Sequence, residues 1–188
     1  MHAMLRTFIA VELPEDIRRG LVKLQKQIEM PGLSMRWVRT EAMHLTLKFL
    51  GDIKRDDIHE VGKFMREAVK GIEPFMLTVE GLGSFPAEGR PRILWVGVTG
   101  TVEPLSIIAE KLENGAREIG AKVEERRFVP HLTLGRVKTA PEGLAERLAE
   151  VKKPMLGSFQ ADGLTLFLSE LTPKGGEYTT LCRVDFEE

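Results

Sequence analysis

The chain has 188 residues, 43% of them hydrophobic, 29% charged, with a formal net charge of −1. That length supports one domain or two small lobes around a real core. The near-zero charge argues against a protein that coats long nucleic acid, which needs many Lys and Arg contacts to phosphate; it leaves a short terminus or a small nucleotide open. No apolar run approaches the roughly 20 residues of a membrane helix and no signal peptide is recognisable, so a cytosolic protein is expected.

In chain order, Leu5 to Leu13 alternates as a strand, and Pro14-Glu15-Asp16 opens an amphipathic helix to about Ile28, with Ile17, Leu21, Leu24 and Ile28 on one face. After Pro31-Gly32, an extended piece from Met35 to Val38 leads to a strand from Met43 to Leu50, closed by Gly51-Asp52. Ile53 to Val69 is a second helix, apolar at Ile58, Val61, Met65 and Ala68. Strands follow at Phe75 to Leu82 and Arg92 to Val98, joined by a glycine- and proline-punctuated loop from Gly83 to Pro91 that could form a rim or lid. A third helix spans Val102 to Ile119, a strand Phe128 to Val137, and a short helix Pro141 to Val151. Strands around Met155 to Gln160, Gly163 to Leu171 and Tyr178 to Phe186 complete the chain, the last turn falling at Thr172 to Gly176. The two halves resemble each other, as expected of an α+β fold of two related lobes without a linker.

The tetrapeptide His44-Leu45-Thr46-Leu47 recurs as His131-Leu132-Thr133-Leu134, each copy in a predicted strand. Alternation puts His44 with Thr46 on one face and the leucines on the other, and the second copy does the same. Packing accounts for Leu and Thr in strands; it gives no reason for a histidine at the same register twice. Two converging imidazoles make an acid and a base near neutral pH. Across a groove they suit an in-line displacement at phosphorus, with the threonine hydroxyls donating to the non-bridging oxygens. The near-symmetry of the repeat leaves open which histidine is the acid.

Other candidates are weaker. His59 lies among acids on a helix and His2 at the terminus. Zinc at His44 and His131 would need a third protein ligand, and neither HExxH nor paired cysteines occur, so no metal or cofactor is expected. Cys182, the one cysteine, reads as a buried structural thiol.

The segments RTFIAVELP, RWV, HLTLKFLG (His44 to Gly51), GSFP with PRILWVGV, FVPHLTLGR (Phe128 to Arg136), and LFLSEL with GGEYTTL, in that order, resemble the 2H phosphoesterases. The likeness is specifically to the RNA 2′,3′-cyclic phosphodiesterases once described as 2′-5′ RNA ligases. It implies one α+β domain over residues 1–188, made of two pseudo-symmetric, closely packed lobes. Their antiparallel sheets would face a central groove with helices outside and each motif on a central strand. The implied activity is metal-independent hydrolysis of RNA 2′,3′-cyclic phosphate ends to 2′-phosphomonoesters, with reverse 2′-5′ joining as a capacity. RNA 3′ termini, tRNA fragments among them, would be the partners of a monomeric, cytoplasmic enzyme. His44 maps onto the proton donor and His131 onto the acceptor, with Thr46, Thr133 and Arg136 as phosphate ligands.

Two residues sit uneasily. In an unbroken strand Arg136 would face away from His131, so its role requires a bulge or strand end at Gly135. Lys48 has the groove parity and reads as a rim charge. Phe8 and Trp37 are candidates for stacking a base. The alternatives are an RNA-end or nucleotide phosphate-binding module without turnover, and a phosphodiesterase for small cyclic nucleotides.

Overall fold

A computed structural model describes residues 4–87, 89–151, 154–172 and 175–187. The order is β1 (Met4–Val11), α1 (Glu15–Ile28), β2 (Ser34–Trp37), β3 (Leu45–Lys54), α2 (Ile58–Val69), β4 (Phe75–Phe85), β5 (Ile93–Gly100), α3 (Glu103–Glu118), β6 (His131–Thr139), α4 (Leu144–Glu150), β7 (Met155–Ala161), β8 (Gly163–Thr172) and β9 (Gly175–Asp185). His2 lies outside the described residues.

α1 forms where the pattern predicts it. Pro14 sets the extended entry, Glu15 and Asp16 sit at the positive end of the helix dipole with Lys26 at the other, and Ile17, Leu21, Leu24 and Ile28 are buried. Elsewhere tertiary pairing moves the boundaries. Ile53 is strand rather than helix, because β3 stays paired with β1 through Met4↔Lys54; a 3-10 turn at Arg55–Asp57 then precedes α2. Gly83, Ser84 and Phe85 likewise belong to β4, held against Trp95, Leu94 and Ile93 of β5, so the expected loop is shorter.

All strand pairs are antiparallel, in a four-stranded sheet ordered β3-β1-β8-β9 and a five-stranded sheet ordered β2-β6-β5-β4-β7. Each lobe holds one sheet, and the lobes face each other across a groove. The lobes are not the two halves of the sequence. β1 of the first half pairs with β8 of the second, while β4 and β2 of the first pair with β7 and β6 of the second, respectively. Helices α2 and α3 pack on the four-stranded sheet, through β9 and β3, and α1 packs on β7 of the other. One continuous cluster of buried apolar side chains runs through both sheets and α1, α2 and α3. The motif leucines belong to it: Leu45 and Leu134 are 0% exposed, Leu132 2% and Leu47 7%. Truncating any one to alanine costs about 2–5 kcal/mol by lost burial plus a cavity. β3 is an edge strand of its sheet, not a central one; it is central to the molecule because it approaches β6 of the other lobe.

Candidate active site

Both motifs end in the same irregularity. Along β3, Ala10 pairs with Thr46 but Ile9 pairs with Lys48, so Leu47 is an extra residue; along β6, Trp95 pairs with Thr133 but Leu94 pairs with Gly135, so Leu134 is extra. One added residue reverses the facing of the residues beyond it. Lys48 and Gly135 therefore turn inward, and Phe49 and Arg136 turn to the face that carries the histidines and threonines. The bulge that Arg136 requires is present one step after Thr133, and Arg136 lies exposed on the groove face opposite Arg36 of β2.

The same bulge removes Lys48 from the groove. It is 4% exposed, and its ammonium donates to Glu113 Oε2 of α3 at 2.6 Å and to the Lys122 carbonyl at 2.7 Å. A lysine buried this deeply is held by its partners and is no rim charge.

His44 stands just before β3 against a wall of rings. Its centroid lies 4.5 Å from Phe167, 5.6 Å from Tyr178 and 6.0 Å from Phe8. Burial pushes its pKa down from 6.5 to about 4, and the Arg18 guanidinium adds to this; the Ala42 backbone and the Glu12 carboxylate act the other way. In the unliganded protein His44 is thus neutral at pH 7.

His131 opens β6 and is oriented differently. Its Nδ1 lies 2.7 Å from the Val129 carbonyl, which can only accept, so Nδ1 carries the hydrogen and, in the neutral tautomer, Nε2 is the nitrogen with the free lone pair. Phe85 meets the ring edge-on at 5.1 Å and Trp95 flanks it at 6.0 Å. The Trp95 indole lies across Gly83, where an added Cβ would come within 2.3 Å of the ring. Only glycine permits that seat. Thr46 and Thr133 are half-buried, and neither hydroxyl has a hydrogen-bond partner among the described residues.

Register thus puts His44 and Thr46 on one sheet, and His131, Thr133 and Arg136 on the other, each set on the face opposite its buried motif leucines. Trp37 is not brought there: it pairs with Gly135, shares its inward face and packs on the main core. Phe8 is on the groove side but only 4% exposed, stacked on Phe167 at 5.2 Å and edge-on to Tyr178 at 4.8 Å. Strand alternation alone does not place Phe49 in the groove. It is 70% exposed, with its ring 5.9 Å from Phe8, and an unpaired large aromatic in a motif strand was its only sequence signal. His59 is exposed on α2, and the Cys182 thiol is half-buried with its pKa raised by burial.

The model of the LigT-like phosphoesterases matches twice, over residues 11–95 and 96–178, one match per motif. A Thermotoga maritima protein named RNA 2′,3′-cyclic phosphodiesterase is 34% identical over 183 residues, covering 97% of this chain and 96% of the relative. A Methanocaldococcus jannaschii protein of the same name is 34% identical over 181 residues, covering 94% and 98%. Among solved structures, a Thermus thermophilus protein superposes with a TM-score of 0.80 at 30% identity, covering 96% of this chain and 97% of that one. Escherichia coli LigT complexed with 3′-AMP superposes at 0.81 and 25% identity, covering 99% and 100%. With the doubled motif, the mirrored bulges and full-length similarity in agreement, the chain belongs to the LigT-like, or 2H, phosphoesterase family.

Proposed function

We propose that this protein hydrolyses RNA 2′,3′-cyclic phosphate ends to 2′-phosphomonoesters. The observation that carries the reading is the pair of His–Thr strands, each presenting an imidazole and an unpartnered hydroxyl on the face opposite its buried leucines, with matching bulges of which the second turns Arg136 to that same face. His131 Nε2 takes a proton from water as its oxygen attacks phosphorus. The bond from phosphorus to the 3′ oxygen breaks, and His44 supplies the proton that the departing oxygen needs. Thr46, Thr133 and Arg136 hold the non-bridging oxygens as negative charge builds on them. A 5′-hydroxyl in place of water would form a 2′-5′ linkage by the same displacement. Both proton transfers are assigned to protein side chains, so the reaction proceeds without a metal. The name shared by the Thermotoga and Methanocaldococcus relatives supports the substrate.

The terminal nucleotide would stack on Phe49, the exposed ring of the groove, with Phe8 beneath it. A cytoplasmic setting suits the unpaired Cys182. The test is to incubate a 2′,3′-cyclic-ended oligonucleotide with the protein and EDTA and identify the end formed. A 2′-phosphate is expected; loss of activity with the chelator, a purely 3′-phosphate product, or binding without turnover would overturn the reading.

A second reading keeps the chemistry and shrinks the substrate to a cyclic mononucleotide. It is favoured by the similar LigT structure, which is complexed with 3′-AMP, a mononucleotide. Turnover of a cyclic mononucleotide at a rate equal to that of the oligonucleotide would select it.

A further inference from the structure

Arg18 projects from the first turns of α1, and α1 packs against the 3-10 turn Thr40–Ala42 that leads directly into His44. Its Nε is buried, and its guanidinium has no hydrogen bond or ion pair with any described residue. Nδ1 of His44 is buried without a well-formed hydrogen bond too, the Ala42 backbone acting on the ring only from poorer geometry. A buried guanidinium nitrogen with no acceptor is costly, and proteins seldom keep one unless something else uses it.

The neighbouring acids are engaged elsewhere. Glu12, the carboxylate that acts on His44, accepts from Thr165 Oγ1 at 2.7 Å and from Arg183 at 3.4 Å. Asp16 accepts from the Ile17 backbone at 2.9 Å. The groups facing His44 are thus the Arg18 cation from α1, the occupied Glu12 after β1, and the rings of Phe8, Phe167 and Tyr178 from β1, β8 and β9. What this set lacks is an acceptor of negative charge on the His44 side of the groove, which is what a phosphodiester monoanion supplies.

We propose that Arg18 is a substrate-binding residue whose guanidinium takes a phosphate oxygen of the RNA end beside His44. The proposal rests on the hydrolase reading for its substrate and adds a reason for the neutral His44. With the groove free of anion, Arg18 opposes a second positive charge next to it. Once phosphate binds, the Arg18 charge is offset and the anion itself favours imidazolium, so His44 gains its proton when substrate arrives.

Inorganic phosphate and 3′-AMP are the probes, and the His44 ring is followed by NMR titration in the wild type, Arg18→Gln and Arg18→Lys. In the wild type, saturation with either probe raises the His44 titration midpoint. Arg18→Gln is expected to bind phosphate at least about tenfold more weakly, the loss of one charge-assisted hydrogen bond, with its probe-free His44 midpoint already above that of the wild type. Arg18→Lys, which keeps the charge on a helix-compatible side chain, falls between. Unchanged phosphate affinity in Arg18→Gln, or a wild type that binds neither probe, overturns the proposal. The two readings separate cleanly: Arg18-dependent phosphate binding by a protein that leaves cyclic ends intact sinks the hydrolase and keeps Arg18, whereas an active wild type with an indifferent Arg18→Gln sinks Arg18 alone.

Discussion

The two motif strands share four letters, a register and a bulge, yet their neighbours make them different. β6 lies inside its sheet, so the residue its bulge turns inward is pressed against β2: a Cβ at Gly135 would lie 2.9 Å from Met35 Cε and 3.0 Å from the Arg36 carbonyl. Only glycine fits. β3 has no such neighbour on its outer edge, and the matching position holds Lys48, whose long chain reaches Glu113 on α3. The outward position is filled as differently, by Phe49 on one side and Arg136 on the other. The histidines diverge too, one walled in by rings and kept neutral, the other tied by Nδ1 to a backbone carbonyl. In the proposed reaction, duplication supplies a symmetric grip on one phosphate, and the surroundings of each copy supply the difference between donor and acceptor and between base end and phosphate end.

The sharpest way to break this comparison is to remove each histidine. His44→Ala and His131→Ala are each expected to lower single-turnover hydrolysis by about 10²–10⁴-fold. The double variant should be little worse than either, because an acid and a base serving one displacement act as a unit. Losses that multiply would show that the copies act independently. The next largest effect separates stability from catalysis at the two bulges. Lys48→Ala leaves Glu113 facing the interior without its cation and should cost about 3 kcal/mol in denaturant unfolding, while Lys48→Met combined with Glu113→Leu recovers most of it. Arg136→Ala is exposed and should move stability by less than about 0.5 kcal/mol while depressing turnover. If Arg136→Ala unfolds the protein as Lys48→Ala does, the outward position is structural.

Much of this site is legible in the sequence, and the gaps have a common cause. The α1 face, the two motif strands and the inward leucines follow from period alone. Alternation then puts Lys48 in the groove, Arg136 behind it and Phe49 out of sight, since it assumes an unbroken pleat. A bulge depends on how a partner strand is spaced, and β1 and β5 lie far from β3 and β6 in sequence. The exchange of strands between halves is hidden for the same reason: local pattern marks β4 and β8 as strands but not the sheet each joins. The resemblance supplies the lobes and the histidine roles. It says nothing of Arg18, whose part depends on a tertiary contact between α1 and the turn before His44.

His44 offers a smaller test, free of any substrate. The unfolded chain takes up its proton below about pH 6.5, while the folded protein resists until about pH 4, so lowering the pH across that window favours unfolding. The penalty is absent above the window and complete below about pH 4, amounting to roughly 3 kcal/mol at most for a shift of this size. His44→Gln should flatten that part of the stability–pH curve. A curve unchanged by the substitution would mean that the ring wall does not exclude water from His44, and the contrast with His131 would shrink to orientation alone.

The smallest expected effect bears on the outward residues. Phe49→Ala removes an exposed ring that makes no part of the main core, so folding should be little changed. A stacked base is worth about 1–3 kcal/mol, and such binding is felt before and during the displacement alike. Phe49→Ala should therefore raise KM for a cyclic-ended oligonucleotide with kcat nearly constant, and Phe49→Trp should restore it. Arg136→Ala should instead lower kcat, because the charge it meets grows as the reaction proceeds. Were both substitutions to act on kcat alone, the two outward positions would serve the same phosphate, and the groove would be more symmetric than its side chains suggest.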